Sequence, residues 1–206
     1  GASAYRFALH YDHRGRPDGY VAFRVKTSWE SDSGSEVIIS ELDALPGPAR
    51  AALWRFILDL DLVRRFSTHG SPMDEPLRYL VHDLRSVKAE LEDGTYARLV
   101  DVPRALEARR YLTELDVIIG VQDPLLPDNN GSIRLEAGPD GAAVTRSRRR
   151  PDVTMSVREL SAIYLGGTPL VPLARAGLVT ERTKGAVQAT AAAFAWPQPP
   201  FCPDFF

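Results

Sequence analysis

The chain has 206 residues, 44% of them hydrophobic and 25% charged, and a formal net charge of -2 at pH 7. That composition is globular, with material for one or two cored domains, and the charge excludes a global electrostatic case for nucleic acid or an anionic membrane surface as partner. The single cysteine, Cys202, excludes an internal disulfide and suits a reducing, cytoplasmic compartment, and no apolar run approaches the ~20 residues of a membrane span.

The predicted elements follow one another closely. YRFALHYD (residues 5–12) alternates in strand fashion, meets the turn signal RGRPDG and resumes as YVAFRVK, which predicts a hairpin. EVIISEL (36–42) predicts a third strand. Pro46-Gly47-Pro48 then opens a helix over ARAALWRFILDL, with Ala52, Trp54, Phe56, Ile57 and Leu60 expected on its packed side. LVRRFSTH (62–69) predicts another strand, and DEPLRYLVHD a short helix with Asp74 and Glu75 at its positive end and Pro76 in its first turn.

From about residue 85 the pattern restarts. TYARLVDV (95–102) predicts a strand, PRALEARRYL a helix, and LDVIIGVQD (115–123) a strand. SIRLEA and AAVTRS flank Gly138-Pro139-Asp140-Gly141, a hairpin by its turn chemistry. Ser156-Val157-Arg158-Glu159 has the form of a capping box and starts a helix expected to run to Gly166 and Gly167. PLARAG supplies a short helix and residues 181–196 a longer one. The predicted fold class is α+β, with mixed sheets and helices packed on their faces.

Few side chains announce chemistry. His10-x-x-His13 lacks a Cys or Glu-x-x-His companion and reads as surface histidines, with no metal. Cys202 has no adjacent basic residue to activate it and reads as a packed small residue. Arg146-x-Arg148-Arg149-Arg150 reads as a solvated loop. The patterns GxxxxGK[ST], GxGxxG and GxSxG are absent. The last twelve residues, AWPQPPFCPDFF, hold four prolines and four aromatics. Such a tail is stiff and its rings gain by leaving water, so docking is expected. Docking would carry the α-carboxylate of Phe206 inward, where a charge must be partnered or used.

Several stretches together resemble one family, the multidomain GNAT-type N-acetyltransferases known for enhanced intracellular survival of mycobacteria, the Eis-like enzymes. They are DGYVAFRVK (18–26), SELDALPGPARAALWRFILDLDLV (40–63), DEPLRYLVHD (74–83), DGTYARLVDVPRALEARRY (93–111) and the closing W-P-x-x-P-x-C-x-x-x-F. The resemblance implies an acetyl-CoA-binding GNAT domain, a second GNAT-like domain without cofactor and a domain resembling sterol carrier protein. Residues 1–85 correspond to the later part of the second domain and 86–206 to the third. The first domain, with its V-x-x-x-x-[RQ]-x-x-G-x-[GA] turn for the pyrophosphate, has no counterpart here, so the resemblance implies an enzyme whose acetyl-CoA site lies outside this chain, which alone would be inactive.

The same resemblance implies that the Phe206 carboxylate is the general base and that Tyr96, Asp204 and Phe205 contact an amine substrate: an aminoglycoside, a polyamine or a lysine side chain. It also implies a hexamer. Two departures stand out: Phe205 replaces an acid found in a mycobacterial member, and Tyr96 stands where many relatives have Trp. Two other readings of the chain are a sterol-carrier-like module for an apolar ligand and a purely structural oligomerisation domain.

Overall fold

The computed structural model describes residues 1–27 and 34–203. The described residues divide into two compact units, residues 1–91 with Pro203, and Glu92–Cys202. Both units combine helices with a mixed sheet, as the α+β class requires.

In the first unit the sheet order is β1-β2-β3-β4, with β1 at Arg6–Tyr11, β2 at Pro17–Lys26, β3 at Ser35–Ala44 and β4 at Val63–Thr68. The first two pairings are antiparallel and β3 runs parallel to β4, so the connection between them must cross over. Helix α1, Ala49–Leu58, makes that crossover. Val21, Phe23, Val37 and Ile39 from the sheet meet Leu53, Trp54 and Ile57 from α1 in one core. Phe56 is a correction: it faces outward at 43% exposure, because the helical repeat that buries Leu53, Trp54 and Ile57 turns position 56 away. A partly buried clamp holds α1. Glu75, just before the four-residue helix α2 (Leu77–Leu80), accepts from Trp54 Nε1 at 2.7 Å and pairs with Arg50, whose Nη1 also donates to the Leu42 carbonyl at 3.1 Å. Among the described residues β1 pairs only with β2, and it turns Phe7, Leu9 and Tyr11 outward, all more than half exposed.

The second unit has a five-stranded sheet of order β7-β6-β5-β8-β9: β5 Leu115–Gln122, β6 Gly131–Gly138, β7 Gly141–Ser147, β8 Val153–Ser156 and β9 Val179–Glu181. β5 is central, pairs parallel with β8, and reads as a nearly continuous apolar run because it is buried on both sides. Its helices are α3 (Val102–Glu107), α4 (Val157–Tyr164), α5 (Leu170–Arg175) and α6 (Ala186–Phe194). Leu106, Leu160, Ile163, Leu170, Ala193 and Phe194 pack with Val117, Ile119, Leu135 and Met155 in its core.

Three element predictions are corrected here. Residues 95–102 form no strand: the Leu99 amide donates to Ser161 Oγ and the Val102 amide to Asn129 Oδ1, so side chains take the bonds a ladder would need. The helix expected over 103–112 begins at Val102, capped by Asp101, and ends at Glu107. The helix expected from 181 starts only at Ala186, after β9 and a turn that ends on Gly185 at φ 88°. No helix among the described residues is long and apolar enough to cross a membrane.

Candidate functional site

Of the residues singled out for function, Tyr96 is the one described. It is 84% exposed on the irregular segment before α3, and its hydroxyl donates to Asp93 Oδ2 at 2.8 Å. That bond, with the Asp93 charge, pushes the phenol pKa up and keeps the hydroxyl neutral. Asp204, Phe205 and Phe206 lie outside the described residues.

The segment that carries Tyr96 is pinned by groups far away in sequence. Arg98 Nη2 donates to Asp123 Oδ1 at 2.7 Å, and Asn129 Nδ2 reaches both Asp123 Oδ2 (2.8 Å) and the Val100 carbonyl (3.0 Å). The Leu125 and Leu126 amides donate to Asp123 as well. Burial alone would raise this carboxyl, yet the bonds from Asn129, the two amides and Arg98 outweigh it and hold the group well below the usual carboxylate range. Four hydrogen bonds thus converge on this one carboxylate. The network is a scaffold that fixes the chain just after Tyr96.

A second construction lies at the helix ends near the tail. Arg109 donates from Nη1 to the Tyr164 carbonyl at 2.5 Å and from Nη2 to the Phe194 carbonyl at 3.2 Å, the last residues of α4 and α6. Its guanidinium lies 4.5 Å from the Tyr111 ring centroid and 4.7 Å from that of Phe194. The start of the tail rests where these helices end. Pro200 lies against Gly167 and Trp196 against Gly166, while Trp196 and Phe201 each keep 45% exposure. The expected docking is corrected: the tail touches the two glycines at Trp196 and Pro200, but among the described residues 195–203 all except Pro199 are exposed. Cys202 is exposed, a correction to its packed reading.

The remaining candidates resolve as structural. His10 is half-buried, its Nδ1 2.6 Å from Asp18 Oδ1, while His13 is exposed. Among the described residues no group of three or more His, Cys, Asp or Glu could hold a metal. Arg146 belongs to β7 and donates to the Asn130 carbonyl at 2.9 Å and to that of Asp128, which corrects its assignment to a loop. An open concavity of about 650 Å³ beside the β6–β7 hairpin is lined by Glu114, Asp116, Glu136 and Asp140, and two of these carboxylates already pair with Arg134.

The strand-to-helix turn between β3 and α1 is a poor phosphate cradle. Pro46 and Pro48 have no N–H to offer, the Leu45 amide is taken by the Asp18 carbonyl at 2.8 Å, and Ala49 is buried. The turn therefore offers a pyrophosphate fewer amides than a proline-free helix start would.

Sequence reasoning missed Asp123, Asn129 and Arg109. The available signals were an acid closing an apolar strand, an Asn129-Asn130 doublet, and an arginine followed two residues later by tyrosine.

Comparison with known proteins supplies the rest. A family model for an acetyltransferase (GNAT) domain matches residues 1–99, and one for a sterol carrier protein domain matches residues 102–203. An uncharacterized N-acetyltransferase of Streptomyces avermitilis is 42% identical over 193 residues, covering 93% of this chain and 47% of the relative. The N-acetyltransferase Eis of Mycobacterium tuberculosis is 31% identical over 183 residues, 87% of this chain and 43% of its own length. The crystal structure of Eis1 from Mycobacterium abscessus superposes with a TM-score of 0.81 at 40% identity, covering 93% of this chain and 49% of that one. The chain spans about half the length of the curated relatives it matches.

Proposed function

We propose, on the premise that this chain belongs to the Eis-like N-acetyltransferase family and carries its GNAT and sterol carrier protein domains, that it is the carboxyl-terminal half of an acetyl-CoA-dependent enzyme acting on amines. The observation that carries this reading is the end-to-end match of the two domain models in a chain about half as long as its relatives. In it, residues 1–85 are the later part of a cofactor-free GNAT-like domain and 86–206 the sterol-carrier-like domain with its tail. The two prolines in the β3–α1 turn support placing acetyl-CoA on the other half of the protein, leaving this half inactive alone.

Acetyl-CoA, when bound, supplies the acetyl group as a thioester. The α-carboxylate of Phe206 takes the proton from the attacking amine. An α-carboxyl is a weak base in water, with a pKa near 3.5, and an apolar surrounding would strengthen it as a base. Tyr96, Asp204 and Phe205 line the approach of an aminoglycoside, a polyamine or a lysine side chain, and the general acid comes from outside this chain. The enzyme works in the cytoplasm as a hexamer.

One glycine added after Phe206 tests the base. It keeps every side chain, moves the terminal charge by about 3.5 Å and leaves a neutral amide in its former place. In the whole protein kcat should fall ~10²- to 10⁴-fold, or about 3 to 5 kcal/mol, with acetyl-CoA affinity unchanged. An extended enzyme with full kcat would move the base elsewhere.

A further inference from the structure

We propose that the turn at Gly166 and Gly167 is the seat that aims the carboxyl-terminal tail, with Gly167 as a positioning residue for the reaction; the inference rests on the reading of the Phe206 carboxylate as base. Two glycines in succession follow α4, and each is filled from outside by the tail. A Cβ on Gly166 would come within 2.8 Å of Trp196 Cβ and 3.2 Å of the Trp196 amide nitrogen. A Cβ on Gly167 would come within 2.7 and 2.8 Å of Pro200 Cγ and Cδ. The tail thus lies on bare backbone, and nothing larger than hydrogen fits beneath it at either point.

The seat is held by one side chain. Tyr164 stands two positions before Gly166 and Phe194 two before Trp196, and Arg109 binds the carbonyls of both. A half-buried guanidinium packed against both the Tyr111 and Phe194 rings, which also touch each other edge to face, has little freedom, so both segments that form the seat share a rigid anchor. Pro197, Pro199 and Pro200 then stiffen the chain that crosses it. Phe206 lies six residue steps beyond Pro200, a reach of at most ~20 Å, so an offset at the seat passes down a short tether. A 1 Å misplacement of a reacting group can cost about 10²-fold in rate.

The two glycines differ in a way that yields a clean test. Gly166 has φ 82°, so any substitution there also strains the backbone. Gly167 is outside the left-handed region, and an alanine there disturbs only Pro200. In the whole protein, Gly167→Ala should lower kcat for acetyl transfer to a polyamine by ~10- to 100-fold while leaving the KM for acetyl-CoA and the melting temperature unchanged. Adding Pro200→Ala removes the two ring carbons that the new Cβ meets, and should restore most of the lost rate. A merely structural turn would show neither the kcat-specific loss nor the compensation.

Wild-type kcat in Gly167→Ala, beside a loss in the glycine-extended enzyme, would overturn the seat and leave the base assignment standing. Full kcat in the extended enzyme would overturn the base and the seat with it. If Gly167→Ala does not fold, Pro200→Ala alone decides: a several-fold drop in kcat at constant KM supports the seat, and unchanged kcat overturns it.

Discussion

Asp123 shows how much one side chain can organise. Its carboxylate is fully buried and receives Arg98, Asn129 and two backbone amides, which together hold its pKa below the ordinary value against the cost of burial. In the unfolded chain an aspartate titrates near 3.9, so below that pH the unfolded state binds a proton that the folded state refuses, and stability rises with pH there. The contribution of this carboxylate is therefore complete above about pH 4 and drains away as the medium becomes more acidic. Asp123→Asn should lose it at neutral pH, and the stability gap between variant and wild type should narrow below about pH 4 in urea unfolding series. A gap that stays constant into strong acid would contradict the network. Little of this was legible in the sequence. Arg98 is 25 positions from Asp123 and Asn129 is 6, and an acid after an apolar strand looks the same whether it meets water or a hidden cluster. Tyr96 was legible only through resemblance, since an exposed tyrosine on an irregular segment carries no periodic mark.

At the scale of elements, the signals that read correctly are those completed within a few residues. The capping box is such a signal: Ser156 Oγ accepts from the Arg158 amide at 3.1 Å, and Glu159 Oε2 accepts from the Ser156 amide at 3.0 Å. Ser156→Ala should cost about 1 kcal/mol and lower the melting temperature by roughly 4 to 8 °C for a domain of this size, measurable by calorimetry. The β6–β7 turn was likewise legible, because Gly138 pairs with Gly141 across only two residues. The failures involve distant partners. Alternation over 95–102 suggested a strand, yet only Leu99 and Val102 are buried there, and a strand exists only if a neighbour offers its edge. The start of α6 was misplaced because the Arg182 and Thr183 amides both donate to the Asp152 carbonyl, which keeps the chain in a turn until Gly185. Helix propensity in that stretch loses to one carbonyl 30 positions upstream.

For the whole molecule, each unit holds its own core, and the unit matched by the acetyltransferase domain places Pro46 and Pro48 in its β3–α1 turn, where neither has an amide to offer a phosphate. Calorimetric titration of this chain alone with acetyl-CoA should give no heat of binding at micromolar concentration, and measurable micromolar affinity would overturn the proposal that the cofactor binds outside this chain. The outward row on β1 has a different consequence. Phe7, Leu9 and Tyr11 line a strand hydrogen-bonded along one side among the described residues, so in a concentrated preparation two such borders can zip together and extend the ladder between molecules. Ammonium sulfate, which strengthens apolar burial, would hasten that precipitation. A lysine in place of Leu9 would interrupt the row and keep the protein in solution, and it would leave the Val21 and Phe23 side of the sheet untouched.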